Sequence, residues 1–147
     1  MNFREYSCED LQNVIRVFRS NIPKYFSPEE ENDLRLYLEE SPNDYFVFEI
    51  GGDVIASGGF ALNNGEDPTV SLCWGMVHFD RLGTGLGRKM TEFRLGLVGE
   101  RFPNTPVVIS TSQLSQGFYG KFGFMLTRHV PDGFSPGLDI CEMRLDR

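Results

Sequence analysis

Residues 77–87 read Val-His-Phe-Asp-Arg-Leu-Gly-Thr-Gly-Leu-Gly, the end of an apolar run followed by glycines at 83, 85 and 87. The segment from Arg88 to Val98 is amphipathic, so the local order is strand, glycine turn, helix. Glycines at alternate positions permit positive φ and remove the Cβ atoms that would hold a ligand off the amide hydrogens. Such a turn can aim several N–H groups at one anion. A helix beginning there adds its unpaired first-turn donors and the positive end of its dipole. Gly83, Thr84, Gly85, Leu86, Gly87 and Arg88 therefore make a predicted cradle for a phosphate or pyrophosphate.

Arg88 stands where a dinucleotide fingerprint starting at Gly83 needs its third glycine, and no Gly-Lys-Ser/Thr of a P-loop follows. The alternating glycines resemble instead the acetyl-CoA pyrophosphate loop of the GNAT family of N-acetyltransferases: Arg or Gln, two residues, Gly, one residue, then Gly or Ala. Gly85 and Gly87 take the two small positions. Phe118-Tyr119-Gly120-Lys121-Phe122-Gly123-Phe124 is similar to that family's aromatic-Tyr-x-Lys-aromatic-Gly-Phe run. Residues 132–139, followed by the strand Ile140 to Leu145, resemble the closing hairpin of one subgroup. With a beginning like the family's first strand and two helices, the resemblance spans nearly the whole chain. The departures are Phe79 for a usual proline, Leu82 for Arg or Gln, and Ser112 where an asparagine commonly follows the fifth strand.

The resemblance implies an acetyltransferase that moves an acetyl group from acetyl-CoA to an amine by direct attack in a ternary complex. Its acceptor is a small-molecule amine or the amine of a protein or peptide, and a homodimer is left open. Met76, Val77 and His78 are expected along the pantetheine arm, with a backbone N–H of Met76 or Val77 on the thioester carbonyl. Ser112 joins the cofactor contacts. Acyl transfer from a thioester expels a thiolate, and the resemblance gives Tyr119 the task of protonating it. The strand Thr69 to His78 carries no acid to serve as base, which leaves Glu49, His78 and Asp139 as candidates beside a water chain. Asn21 to Phe26 and Phe134 to Leu138 are expected at the acceptor wall, with Phe26, Trp74 and Phe134 lining it. Two other classes stay open: a CoA-binding module without catalysis, and a thiol-dependent hydrolase using Cys73 or Cys8.

Composition agrees with one enzyme-sized domain over residues 1–147: at 40% hydrophobic and 13% aromatic, the chain can fill a core. A net charge of −7 argues against nucleic acid or an anionic membrane as partner. No apolar stretch approaches a membrane span, and Arg4 and Glu5 in a polar start argue against a signal peptide, so the expected location is cytoplasmic. Cys8, Cys73 and Cys141 show no spacing for a metal or a disulfide and are expected in the core. Arg81, Arg88, Lys89 and Arg94 make the glycine region locally basic, whereas residues 29–40 are acidic.

Along the chain, Asn2 to Tyr6 reads as a strand. Ser7 with Asp10 opens a helix whose inward face is Leu11, Val14, Ile15 and Phe18, and Ser27 with Glu30 opens a second over Leu34, Tyr37 and Leu38. Strands at 45–50, 54–62 and 69–78 form an antiparallel meander that delivers the chain to the glycines. The next helix, with Leu86, Met90, Phe93 and Leu97 inward, stops near Gly99. A strand at 106–110, a helix at 113–122 and strands at 125–130 and 139–145 follow. The predicted class is α/β: a mixed, twisted, mostly antiparallel sheet of about seven strands flanked by about four helices. The resemblance adds that its central parallel strands splay apart.

Overall fold

The computed structural model describes residues 2–40 and 44–147. Strand β1 (Asn2–Glu5) leads through a short 3-10 turn into α1 (Leu11–Ser20) and then α2 (Glu30–Glu39). Local chemistry starts both helices: the Ser7 N–H donates to Asp10 Oδ2 at 2.9 Å, and the Ser27 N–H donates to Glu30 Oε2 at 2.8 Å. Helix α1 buries Val14, Ile15, Val17 and Phe18, each worth about 1.5–3 kcal/mol on burial. A pair of arginines, Arg19 on α1 and Arg35 on α2, holds Glu31 between the two helices.

The meander follows as β2 (Tyr45–Ile50), β3 (Asp53–Asn63) and β4 (Thr69–Val77). Helix α3 (Leu86–Arg101) returns the chain to β5 (Val107–Thr111), and α4 (Gln116–Gly120) precedes the hairpin β6 (Met125–Ser135) and β7 (Leu138–Leu145). One seven-stranded sheet results, in the order β1-β2-β3-β4-β5-β7-β6, and every pairing is antiparallel except β4 with β5. Helices α1 and α2 cover one face, where Val47, Val54 and Met76 meet them. On the other face, α3 packs Leu86 and Met90 against Phe48, Ile55 and Val77. Among the described residues no helix is long and apolar enough to cross a membrane.

Several boundaries differ from the sequence reading. Helix α3 runs past Gly99 to Arg101, because a glycine inside a helix is a cost and not a stop, and the Phe102 N–H still reaches the Val98 carbonyl at 2.8 Å. Helix α4 covers only the middle of its predicted span. Strand β6 continues through the predicted loop to Ser135, with a register shift between Val130 and Ser135. The cysteines divide: Cys141 is buried as expected, Cys73 is half-buried, and Cys8 is exposed in the 3-10 turn.

Gly59 shows how tightly the meander is drawn. A Cβ there would lie 2.2 Å from the Asp44 carbonyl oxygen and 2.8 Å from the Tyr45 ring, and a backbone oxygen cannot swing aside. Gly59→Ala should lower stability by about 1–3 kcal/mol, read as the denaturant midpoint. An unchanged midpoint would mean that β2 and β3 part at this point without cost.

Candidate active site

The parallel pair β4 and β5 stays in register only at Val70 with Val107 and Ser71 with Val108. Beyond Ser71, β4 bends away while β5 pairs on its far side with β7, from Val107 with Leu145 to Thr111 with Cys141. The bend has a local cause. Gly59 pairs with Cys73 and Ser57 with Met76, so Gly58 alone opposes both Trp74 and Gly75, a β-bulge with Trp74 at φ 44°. The Tyr45 hydroxyl holds the bulge by reaching the Trp74 carbonyl at 3.0 Å and Ser57 Oγ at 3.0 Å.

Past the bulge, the His78 N–H donates to the Ile55 carbonyl at 2.8 Å, so His78 faces β3. Alternation then turns the polar groups of Val77 toward the gap. Its carbonyl accepts from the buried Asn21 amide at 3.0 Å, and Asn21 also donates to the Val17 carbonyl at 3.0 Å. Met76 turns its side chain to the α1 and α2 face, and Val77 turns its own to α3. Of the three residues expected along the arm, Met76 and Val77 line the gap, whereas His78 lies beyond it with Nδ1 accepting from the Asp80 N–H at 3.2 Å.

At the head of the gap the glycine loop runs into α3. Gly83 has φ 79° and Gly85 φ 86°, with Gly85 directly before the first helical residue. No atom lies within 4 Å of where a Cβ would stand on either, so the loop is open to a ligand in front of its amides. Leu86 turns into the core, and a Cβ on Gly87 would meet the Phe118 ring at 3.5 Å. The Thr84 hydroxyl donates to the Arg81 carbonyl and shapes the loop. Arg88 is exposed and shares its charge with Glu92 at 2.8 Å. The loop geometry fits a pyrophosphate held chiefly by backbone donors.

A cavity of about 940 Å³ occupies the gap, bounded by Gly87 and Val77 near the loop, Ser112 and Tyr119 on the β5 side, and Phe26 and Phe134 at the far end. Ser112 is buried, its Oγ accepting from the Leu114 N–H at 3.2 Å and its carbonyl from Ser115 and Gln116 at the start of α4. Tyr119 is 7% exposed, wedged edge-on between Phe118 and Phe124. Its hydroxyl engages no hydrogen bond with another described residue.

None of the three proposed bases lines this cavity. Glu49 is bound to Arg4 across β1 and β2, His78 is turned away, and Asp139 is clamped by His129 Nε2 at 2.7 Å and by the Asp132 N–H at 2.9 Å. The carboxylates on the cavity wall are Glu30, Asp33 and Glu142. Burial lifts the Glu30 carboxyl above its ordinary value, against the pull of the Ser27 N–H. Arg94, one of the four bases that make the glycine region locally basic in sequence, is 1% exposed under the bulge.

A strand pair splayed around a cavity, with an open glycine loop at its head, is what the resemblance to the GNAT family implies. The chain belongs to the acetyltransferase (GNAT) family, whose model matches residues 11–124. The cofactor of that family is acetyl-CoA. No curated protein matches the chain. Among solved structures it resembles a GNAT-family protein from Desulfovibrio desulfuricans, at 22% identity over 99% of this chain and 98% of that one, with TM-score 0.82. It is also similar to yncA from Salmonella typhimurium, solved with acetyl-CoA, at 21% identity, 99% and 93% coverage and TM-score 0.74. Naa20 from Chaetomium thermophilum, solved with a bisubstrate analogue, is 18% identical over 99% and 86% of the two chains, with TM-score 0.77.

Proposed function

We propose that the chain transfers the acetyl group of acetyl-CoA directly to an amine bound in the same cavity, the acceptor being a small molecule or an exposed peptide amine. The observation that supports this reading is that one cavity runs from Gly87 and Val77 past Tyr119 to Glu30 and Phe134. Bound along the gap, acetyl-CoA supplies a thioester carbonyl: the amine forms a C–N bond to it, the C–S bond breaks, and CoA leaves as the thiol. The Val77 N–H is turned to donate to the carbonyl oxygen, and backbone donors of the glycine loop hold the pyrophosphate. Tyr119 gives its hydroxyl proton to the departing sulfur. Glu30 accepts, through water, the proton that the attacking nitrogen sheds.

A panel of amines, amino acids, polyamines and peptides with free N-termini, incubated with acetyl-CoA and read as thiol release, tests the proposal. Release that depends on an acceptor, with the acetylated amine recovered, is the expected result. Tight CoA binding with no release on any acceptor would leave a non-catalytic binding module.

The base makes a separate prediction. Glu30 must be ionised to accept a proton, and its pKa is raised by burial, so activity should fall as pH drops through a value above the ordinary 4.5. An arylamine acceptor, neutral across that range, isolates this limb from protonation of the substrate. Glu30→Gln should slow turnover about 10²-fold and abolish the limb. A limb that persists in Glu30→Gln assigns the proton to another group.

A further inference from the structure

The geometry points to Arg94 as a buried cation that polarises the thioester carbonyl from behind the β4 bulge, a positioning role that rests on the acetyl-transfer reading. Arg94 projects from α3 and is the largest fully buried side chain among the described residues. Its Nη1 donates to the Gly59 carbonyl at 3.3 Å, while Nε and Nη2 are buried without a hydrogen-bond partner among the described residues. No carboxylate among the described residues forms an ion pair with it. A guanidinium cannot escape by losing its proton, and an uncompensated buried ion is costly where a Met or Leu of similar volume is not. Packing alone therefore does not account for an arginine here.

The sheet is cut to admit this charge. A Cβ on Gly58 would lie 3.3 Å from the guanidinium carbon, and a Cβ on Gly75 would lie 2.7 Å from Nη2. Glycine in the middle of a strand marks a close approach, and here two strands give way to one side chain. The backbone of Gly75 is at the same time part of the cavity wall. The charge thus sits one backbone thickness behind the wall, beside Trp74, Gly75 and Met76.

What faces the guanidinium leaves its field unneutralised. From the opposite face of the sheet come the Tyr45 hydroxyl and Ser57 Oγ, which bond to each other, with Tyr45 also held to the Trp74 carbonyl. Burial keeps the Tyr45 phenol neutral. Burial raises the half-buried Cys73 thiol on the cavity wall, with a hydrogen bond to Tyr37 first and the Arg94 charge second working against that rise. As the C–N bond forms, negative charge gathers on the acetyl oxygen, and it is released when the C–S bond breaks. A fixed cation in a low-dielectric wall stabilises that charge more than it stabilises the uncharged thioester, which is the condition for raising kcat.

The test uses acetyl-CoA labelled with carbon-13 at its carbonyl, bound to wild type, Arg94→Met and Arg94→Lys and read by isotope-edited infrared difference spectroscopy, with melting curves on each protein. The bound carbonyl band of wild type is expected below that of free acetyl-CoA. In Arg94→Met it should move back toward the free value, with thermal stability equal to or above wild type and kcat down about 10-fold or more. Arg94→Lys keeps the charge and should keep most of the shift. A wild-type band position in folded, acetyl-CoA-bound Arg94→Met would overturn the inference. So would a folded Arg94→Lys with no shift, which decides the matter if the Met variant does not fold. An Arg94-dependent shift without acetylation of any acceptor sinks acetyl transfer and leaves the polarising role standing; acetylation with an Arg94-independent band sinks the role alone.

Discussion

Gly85→Val should weaken CoA binding by about 10²-fold or more while the protein still folds. At φ 86° a β-branched residue is strained by about 1–2 kcal/mol, and relief of that strain re-aims the amides around it. Each hydrogen bond lost to a charged phosphate is worth about 1.5–3 kcal/mol, so strain plus one lost donor already reaches two orders of magnitude. A Cβ at Gly85 stands in open space, with no described atom outside its chain neighbours within 4 Å. The loss should therefore show in calorimetric CoA affinity with little change in the melting temperature. Unchanged affinity would remove the cradle from this loop. A collapsed fold would instead make Gly85 a structural glycine.

The loop was legible because its signals are local. Alternating glycines, a preceding apolar run and a following 3.6-residue period are each readable within a dozen residues, and they recover the order of elements from β4 through α3. What was not legible depends on pairings between strands. The bulge that opens the gap requires Gly58 to stand against both Trp74 and Gly75, and nothing near Trp74 announces its positive φ. The base candidates depend on pairing too: Glu49 and Asp139 lie close in sequence to the second strand and the closing loop, but pairing across the sheet commits them to Arg4 and His129.

Glu30 was read as a helix-capping residue, which it is, and the same orientation toward Ser27 puts its carboxyl on the cavity wall. The burial of Arg94 is the feature least visible in the sequence. Arginine is rarely buried, and in the sequence Arg94 is only one of four bases between residues 80 and 94. A signal did exist: Gly58, Gly59 and Gly75 interrupt two strand interiors, and glycines there ask what approaches so closely.

Tyr119→Phe should preserve acetyl-CoA binding and lower turnover by about 10² or more, the typical worth of a general acid. The phenylalanine keeps the ring between Phe118 and Phe124, so the packing that buries Tyr119 to 7% exposure is retained. Only the hydroxyl is lost, and no hydrogen bond to another described residue goes with it, so neither the fold nor α4 should be disturbed. A group that acts only as the C–S bond breaks stabilises the transition state and not the bound substrate. The loss should accordingly fall on kcat and leave the KM for acetyl-CoA nearly unchanged. The leaving group supplies a further discrimination, since a thioester of a more acidic thiol departs with less help and should partly rescue the variant. Rescue would be absent if the hydroxyl merely positioned the acceptor. If Tyr119→Phe turns over at the wild-type rate with the chemical step limiting, the proton reaches sulfur from elsewhere and Tyr119 is a packing residue.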